Sequence, residues 1–242
     1  MLGDDLRLEL GSALPADHAR QSFAQALLGE QLTQLRAQHG GEGGSPTIVD
    51  LGCGRGDGVD LVRAVLPAAR WIGVDIEGSA EVGERQRQDA EFRSFDGERI
   101  PLADGEADLV YSQQVFEHVV RPEPLLADIA RVLRPGGSFC GSLSQLEPFH
   151  SRSVGGFTAY GWKLAVERAG LTLTAVRPGI DVGTLLLRRV AGRNGRFDRY
   201  WVRESPGNRV LGLAARVKHL SPAQTNALKL MFAGQFTFVA TR

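Results

Sequence analysis

An α/β sandwich around a mostly parallel sheet is the fold that this 242-residue sequence predicts. From residue 46 onward, short apolar runs alternate with helix-patterned segments, as happens when each strand is followed by a covering helix. Glycines crowd the turn after the first apolar run, and an acid closes each of the first three: Asp50, Asp75 and Asp96. A parallel sheet of this kind binds ligands at the carboxyl ends of its strands.

Residues 1–45 read as a helical lead-in, because Phe23, Leu27, Leu28, Leu32 and Leu35 recur at helical spacing. Such a segment either packs as a flap or closes as a lid over a ligand. It ends in a glycine-rich break at 40–46. The first strand spans 47–51, and a helix over 57–66 follows, stopped by Pro67. A second strand at 71–75 leads to a polar helix near 79–88, and a weak third strand covers 92–95. The fourth strand is 107–111, followed by a helix over 125–133 that Arg134-Pro135-Gly136-Gly137 terminates. The fifth strand is 138–143. Thr158 caps a helix running to Ala169, and Gly170 stops it. The sixth strand is 171–176 and the last is 236–240. Between them, helical stretches at 182–190, 209–220 and 222–232 form an arginine-rich segment too long for a plain loop, read as a helical cap. The expected organisation is a lead-in (1–45), a core (46–178), an inserted cap (179–234) and a closing strand (235–242).

Composition excludes several classes. Basic and acidic residues number 28 each, so there is no global pull toward nucleic acid or anionic membrane, although a local basic patch is compatible with the total. A hydrophobic content of 43% excludes a disordered chain. No apolar run approaches the roughly 20 residues that a membrane helix needs, so no membrane insertion is expected. The acidic start MLGDDLRLEL lacks the features of a secretory signal. Cys53 and Cys140 are too few for a metal framework and read as small buried thiols, which suits a cytoplasmic location.

The first turn discriminates between ligands. Gly52 and Gly54 match a dinucleotide fingerprint, but Asp57 stands where its third glycine belongs. A carboxylate there repels a pyrophosphate seated at the helix N-terminus, which argues against a nicotinamide oxidoreductase. A cationic ligand fits better, with Asp50 and Asp57 attracting an ammonium or sulfonium. Asp75 suits a pair of ribose hydroxyls, and Asp96-Gly97 suits an adenine amino group.

Taken together, Val49-Asp50-Leu51-Gly52-Cys53-Gly54-x-Gly56, Gly73-Val74-Asp75, the run 102–110, Phe116-Glu117-His118-Val119 and Leu133-Arg134-Pro135-Gly136-Gly137 resemble class I S-adenosylmethionine-dependent methyltransferases of the type 11 group. The resemblance covers about residues 46–145. It implies a Rossmann-like seven-stranded sheet with an antiparallel last strand and S-adenosylmethionine as cofactor. Asp50, Gly52, Cys53 and Gly54 would lie along the methionine, Asp75 and Ile76 at the ribose, Asp96 and Gly97 at the adenine. Gln113 or Gln114 would reach the methionine end.

Methyl transfer to a hydroxyl also needs a base or a metal for the proton. Glu117, His118 and His150 are the candidates, either as catalytic base or as ligands of a divalent cation such as Mg2+. The segment 114–118 is similar to a metal-binding Glu-x-x-Glu-His run of ubiquinone-pathway O-methyltransferases, with Gln114 replacing the first glutamate. Residues 147–160 offer Phe149, Phe157, Tyr160 and Arg152 for an acceptor pocket, with Arg177 nearby. Trp162 either joins them or belongs to the core. The arrangement resembles bacterial sugar O-methyltransferases of polysaccharide or glycolipid pathways. The expected function is O-methylation of a small-molecule hydroxyl, a sugar foremost. An N- or C-methyltransferase and a non-catalytic S-adenosylmethionine-binding module are the alternatives. No nucleic-acid partner is expected, and a homodimer is open.

Overall fold

The computed structural model describes residues 3–39, 45–148 and 152–242. Seven strands among these form one sheet: β1 (Thr47–Leu51), β2 (Arg70–Ile76), β3 (Glu91–Phe95), β4 (Ala107–Gln113), β5 (Leu133–Ser144), β6 (Thr172–Pro178) and β7 (Gln235–Thr241). Their spatial order is β3-β2-β1-β4-β5-β7-β6. The first five run parallel, and β7 is antiparallel to both β5 and β6. The predicted α/β class, the seven strands and the antiparallel closing strand are all present.

Every residue of β1 is buried, because helices cover both faces of the sheet at its centre. On one face α2 (Ala24–Gln38) and α3 (Gly58–Val65) bury Leu27, Leu28, Leu32, Leu35, Val59 and Val62. These are the positions whose helical spacing marks them in the sequence. On the other face lie α5 (Pro122–Val132) and α6 (Ala159–Arg168). The Thr158 hydroxyl accepts from the Gly161 amide, capping α6 as expected. Trp162 of α6 is fully buried, with its ring 4.9 Å from Phe116, 4.8 Å from Phe238 and 5.1 Å from Phe157. Of the two readings open for this side chain, it therefore takes the core one.

Two predicted elements change length. The polar helix shrinks to α4 (Ala80–Gly83), capped by the Ser79 hydroxyl. Residues 84–90 have no apolar stripe to bury, and an unpacked short helix is unstable. Their arginines bond elsewhere instead: Arg87 pairs with Asp60, and Arg85 reaches Gly54. By contrast, β5 begins directly where α5 ends, so Arg134–Gly137 lie within the strand.

The lead-in starts with α1 (Asp4–Leu10), which packs against α6 and α9 (Pro222–Leu230) on one face. It then passes the edge of the sheet at β6, where the Ser22 amide donates to the Pro178 carbonyl, and continues into α2 on the other face. Polar side chains of the segment between β6 and β7 stitch this passage down. Asn226 Nδ2 donates to the carbonyls of Pro15 (3.0 Å) and His18 (2.7 Å). Lys229 Nζ donates to the Ala19 carbonyl at 2.7 Å and pairs with Glu204. The Gln21 side-chain Oε1 accepts from Asn208 Nδ2 and the Ser205 amide. The described lead-in is therefore a strap over the β6 edge, which would otherwise offer unpaired backbone groups. The segment from β6 to β7 holds α7 (Val182–Val190), a 3-10 turn at Gly195–Trp201, α8 (Pro206–Val217) and α9.

Candidate cofactor and acceptor site

The turn between β1 and α3 folds on its glycines. Gly52 has φ +72°, and a Cβ there would collide with Val115 Cγ2, so this backbone tolerates only glycine. That contact places the turn after β4 directly against the turn after β1.

Asp75, at the end of β2, ties the glycine turn down: one carboxylate oxygen accepts from the Gly54 amide (2.7 Å) and the other from the Ile76 amide (2.8 Å). Arg85 donates from Nε (2.9 Å) and Nη2 (2.6 Å) to the Gly54 carbonyl, with its guanidinium 3.9 Å above the Phe92 ring. Ile76 is 45% exposed at the same edge. At the end of β3 the Asp96 carboxylate accepts from the Glu98 and Arg99 amides (2.9 and 2.8 Å), and these amides hold it below the usual carboxylate range. The adjoining Gly97, at φ +91°, has open space where a side chain would be. A depression of about 550 Å3 beside β3 is lined by Arg93, Arg99 and Glu106 and includes Asp96, but it does not reach the glycine turn.

Asp50 behaves differently from its neighbours. It lies beneath the turn, buried against Gly58 and Trp71. Burial, with the Asp75 charge adding to it, pushes its carboxyl up to about 7. Burial likewise drives the Cys53 thiol up to about 12, and Cys140 is pushed up too; both cysteines are free and buried, as expected. Asp57 points outward, its side chain 76% exposed. The carboxylate at the open edge is therefore that of Asp75. Gln113, exposed at the end of β4, accepts from the Tyr111 hydroxyl at 2.7 Å.

The turn after β4 builds a second cluster. Gln114 has φ +56°, a left-handed conformation that is strained for a side-chain-bearing residue. It leads into a 3-10 turn, Phe116–His118. Glu117 is fully buried on that turn, and its backbone carbonyl accepts from the Val154 amide (2.7 Å), which brings the segment after β5 over it. The Ser144 hydroxyl, at the end of β5, sits 3.2 Å from Glu117 Oε1 and 2.9 Å from Glu147 Oε2. With a single proton it serves one acid at a time. The Gln114 amide, read with its nitrogen toward the carboxylates, donates to Glu117 Oε1 at 2.9 Å and Glu147 Oε2 at 3.2 Å. Gln235, the first residue of β7, donates from Nε2 to Glu147 at 2.5 Å. Burial, with the nearby Glu147 charge adding to it, pushes the Glu117 carboxyl up to about 7.

Of the predicted residues, the structure brings Gly52, Cys53, Gly54, Asp75 and Ile76 together at one turn, with Asp96 and Gly97 at the end of the neighbouring strand. Gln114 and Glu117 join in the second cluster, and His118 is half-buried on the same turn. His150 and Phe149 lie outside the described residues. Among those described, no group of three or more His, Cys, Asp or Glu is placed to hold a metal ion. Adjacent Glu117 and His118 sit on a regular tight turn, and Glu117 Oε1 is engaged by Ser144 and Gln114, so these residues do not fit the expected Mg2+. Sequence reasoning missed Arg85, Ser144, Glu147 and Gln235. The acid at 147 beside the end of a strand was a usable signal; for Gln235 there was none.

Residues 49–141 match the family model described as "Methyltransferase domain". The chain is 32% identical over 134 residues to the malonyl-[acyl-carrier protein] O-methyltransferase of Methylococcus capsulatus, which covers 50% of this chain and 48% of that protein. It is 29% identical over 178 residues to the trans-aconitate 2-methyltransferase of Methylobacterium nodulans, covering 64% of this chain and 66% of that one. The chain thus spans about half the length of the first and just under two thirds of the second. In three dimensions it resembles an S-adenosylmethionine-dependent methyltransferase from Mesorhizobium loti, with a TM-score of 0.52 at 17% identity over 87% of this chain and 98% of that one. That likeness concerns the fold.

Proposed function

We propose that this chain, whose residues 49–141 match a methyltransferase domain, is a class I S-adenosylmethionine-dependent methyltransferase and that it methylates a hydroxyl of a small polyhydroxylated molecule, of which a sugar is the representative class. The observation that carries the acceptor reading is the paired carboxyls of Glu117 and Glu147, joined through Ser144.

Asp75, with Ile76 beside it, supplies an acid for a ribose diol and an apolar neighbour for the base. Gly52 and Gly54 let the backbone approach the methionine end. The bound cofactor supplies a methyl group on a sulfonium, a leaving group that needs no acid. The protein then has to align the acceptor oxygen with that methyl, exclude water and take one proton. Val115 packs on Gly52 two residues before Glu117, so the acid pair adjoins the methionine end of the turn. Glu147, the half-buried member, meets the acceptor hydroxyl, and Ser144 links it to Glu117. Burial holds the Glu117 carboxyl near 7, so a proton-accepting limb near neutrality is expected.

The same pair argues for a hydroxyl over a carboxylate acceptor. The related proteins named above are described as acting on malonyl-carrier and trans-aconitate substrates. Two acids at the acceptor end repel a carboxylate and favour a neutral donor of hydrogen bonds. The test is an acceptor screen with methyl-labelled cofactor, comparing sugars, dicarboxylates and amines. Label on a sugar oxygen, lost in Glu147→Gln with cofactor affinity intact, is the expected result. Label confined to dicarboxylates or amines overturns the acceptor class, and no binding of S-adenosylmethionine or its demethylated product by folded protein overturns the whole reading.

A further inference from the structure

Helix α8 faces the wrong way for a core-packing amphipathic helix. Val210, Leu213 and Val217 are 68%, 63% and 73% exposed. Their i, i+3, i+7 spacing sets them in one stripe along the helix. The inward positions carry Asn208 and Ala215 instead, both buried. Helix α7 repeats the pattern, with Leu187 and Val190 62% and 86% exposed. Scattered exposed apolar residues need no explanation, but stripes on two packed helices do.

The charge is equally uneven. Residues 182–220 hold nine arginines and lysines against two acids, in a chain whose total is zero. Arg209 and Arg216 each precede a stripe residue and are exposed. The turn between the two helices carries Trp201, half-buried beneath the Arg188 guanidinium at 5.7 Å. Aromatic rings of this kind favour a polar–apolar boundary.

We propose that the α7–α8 face docks on an anionic lipid bilayer, with its apolar stripes at the headgroup–acyl boundary and its arginines on lipid phosphates. Among the described residues no helix is long and apolar enough to cross a membrane, so the contact is interfacial. Charge decides among occupants. A second copy of the chain would bring the same surplus of positive charge against itself. A nucleic acid would use the arginines and leave the apolar stripes uncovered. An anionic bilayer meets both. The face adjoins the acceptor end of the sheet, since Arg189 Nη2 donates to the Pro148 carbonyl at 3.4 Å. The proposal stands apart from methyl transfer and does not rest on it.

The full chain is sedimented with vesicles of phosphatidylcholine alone and of phosphatidylcholine mixed with phosphatidylglycerol. Binding to the mixed vesicles only, weakened by salt, is expected. Leu213→Asp combined with Val217→Asp abolishes it. Arg209→Ala combined with Arg216→Ala weakens partitioning about thirtyfold, at roughly 1 kcal/mol per arginine. A readout without substitution is Trp201 fluorescence: brominated phosphatidylglycerol vesicles quench it, because Trp71 and Trp162 are buried in the core. Absence of quenching, equal binding to both vesicle types, or binding untouched by the aspartate pair overturns the proposal. A dimer that dissociates on Leu213→Asp, or retention of RNA without retention of vesicles, overturns it likewise.

Discussion

The two ends of the sheet are built on different principles. At β1–β3 the site is made of backbone and strand-end residues: the glycine turn, the Asp75 carboxylate bonded to two amides, and Gly97. Each group there lies within a few positions of its own strand's end, and Asp75 ties the β2 end to the turn after β1. At β4, β5 and β7 the site is made of side chains drawn from residues 114, 117, 144, 147 and 235. On the proposed reading the first arrangement takes the cofactor through shape, and the second takes the acceptor through side-chain chemistry, the part of a site that can change while a fold stays fixed.

Breaking the acceptor end should have the largest effect. Glu147→Gln is expected to lower turnover by about 10²- to 10⁴-fold, the range for removal of a general base, and Glu117→Gln, which removes the buried acid behind the Ser144 link, to lower it as well. In steady-state assays the limb near pH 7 should vanish while the calorimetric affinity for S-adenosylmethionine stays unchanged. Equal losses in affinity and turnover would make Glu117 a scaffold residue and erase the contrast between the two ends.

Next comes the packing on which the acceptor end rests. Trp162→Ala removes a fully buried ring in contact with Phe116, Phe139, Phe157 and Phe238, and should cost about 3–5 kcal/mol in denaturant unfolding. A loss below about 1 kcal/mol would mean that the ring is not core.

Buried acids at both ends couple stability to pH. Glu117 and Asp50, near 7 when folded, ionise at their ordinary 4.5 and 3.8 when unfolded. Through that window the folded chain binds more protons, so stability falls as pH rises from about 4 to about 7 and then levels off. For Glu117 the limit is about 3 kcal/mol. Melting temperatures across the window should decline less in Glu117→Gln than in the parent, and a decline that persists in full assigns it to other groups.

The smallest effect sharpens the cofactor end. Asp75→Ala removes the acceptor of two amides and should weaken S-adenosylmethionine binding by about 10- to 100-fold, the cost of charged hydrogen bonds worth ~1.5–3 kcal/mol, with turnover at saturation little changed. Unchanged affinity would move the ribose elsewhere.

Much of the first end was legible in the sequence because its determinants are local. A glycine is needed where Gly52 turns, an acid stands at each strand end, and strands alternate with helices at readable periods. Legibility failed where the period was right but the direction was not. The spacing of Val210, Leu213 and Val217 marks a stripe, and nothing in it says that the stripe faces outward. It also failed where no stripe existed, as in residues 84–90, whose arginines found ion pairs and carbonyls instead of a helix.

By itself the sequence determined the α/β class, the strand order's raw material and the glycine turn with its acids, because backbone conformation and hydrophobic period are properties of neighbours. Only the tertiary structure decided that Ser144 stands opposite Gln235 across an antiparallel pair, that Trp162 fills the core, and that residues 11–22 strap the β6 edge. Those outcomes depend on register and packing between segments far apart in the chain, as with Asn226 and Pro15 at a separation of 211, and such distances leave no trace in local spacing.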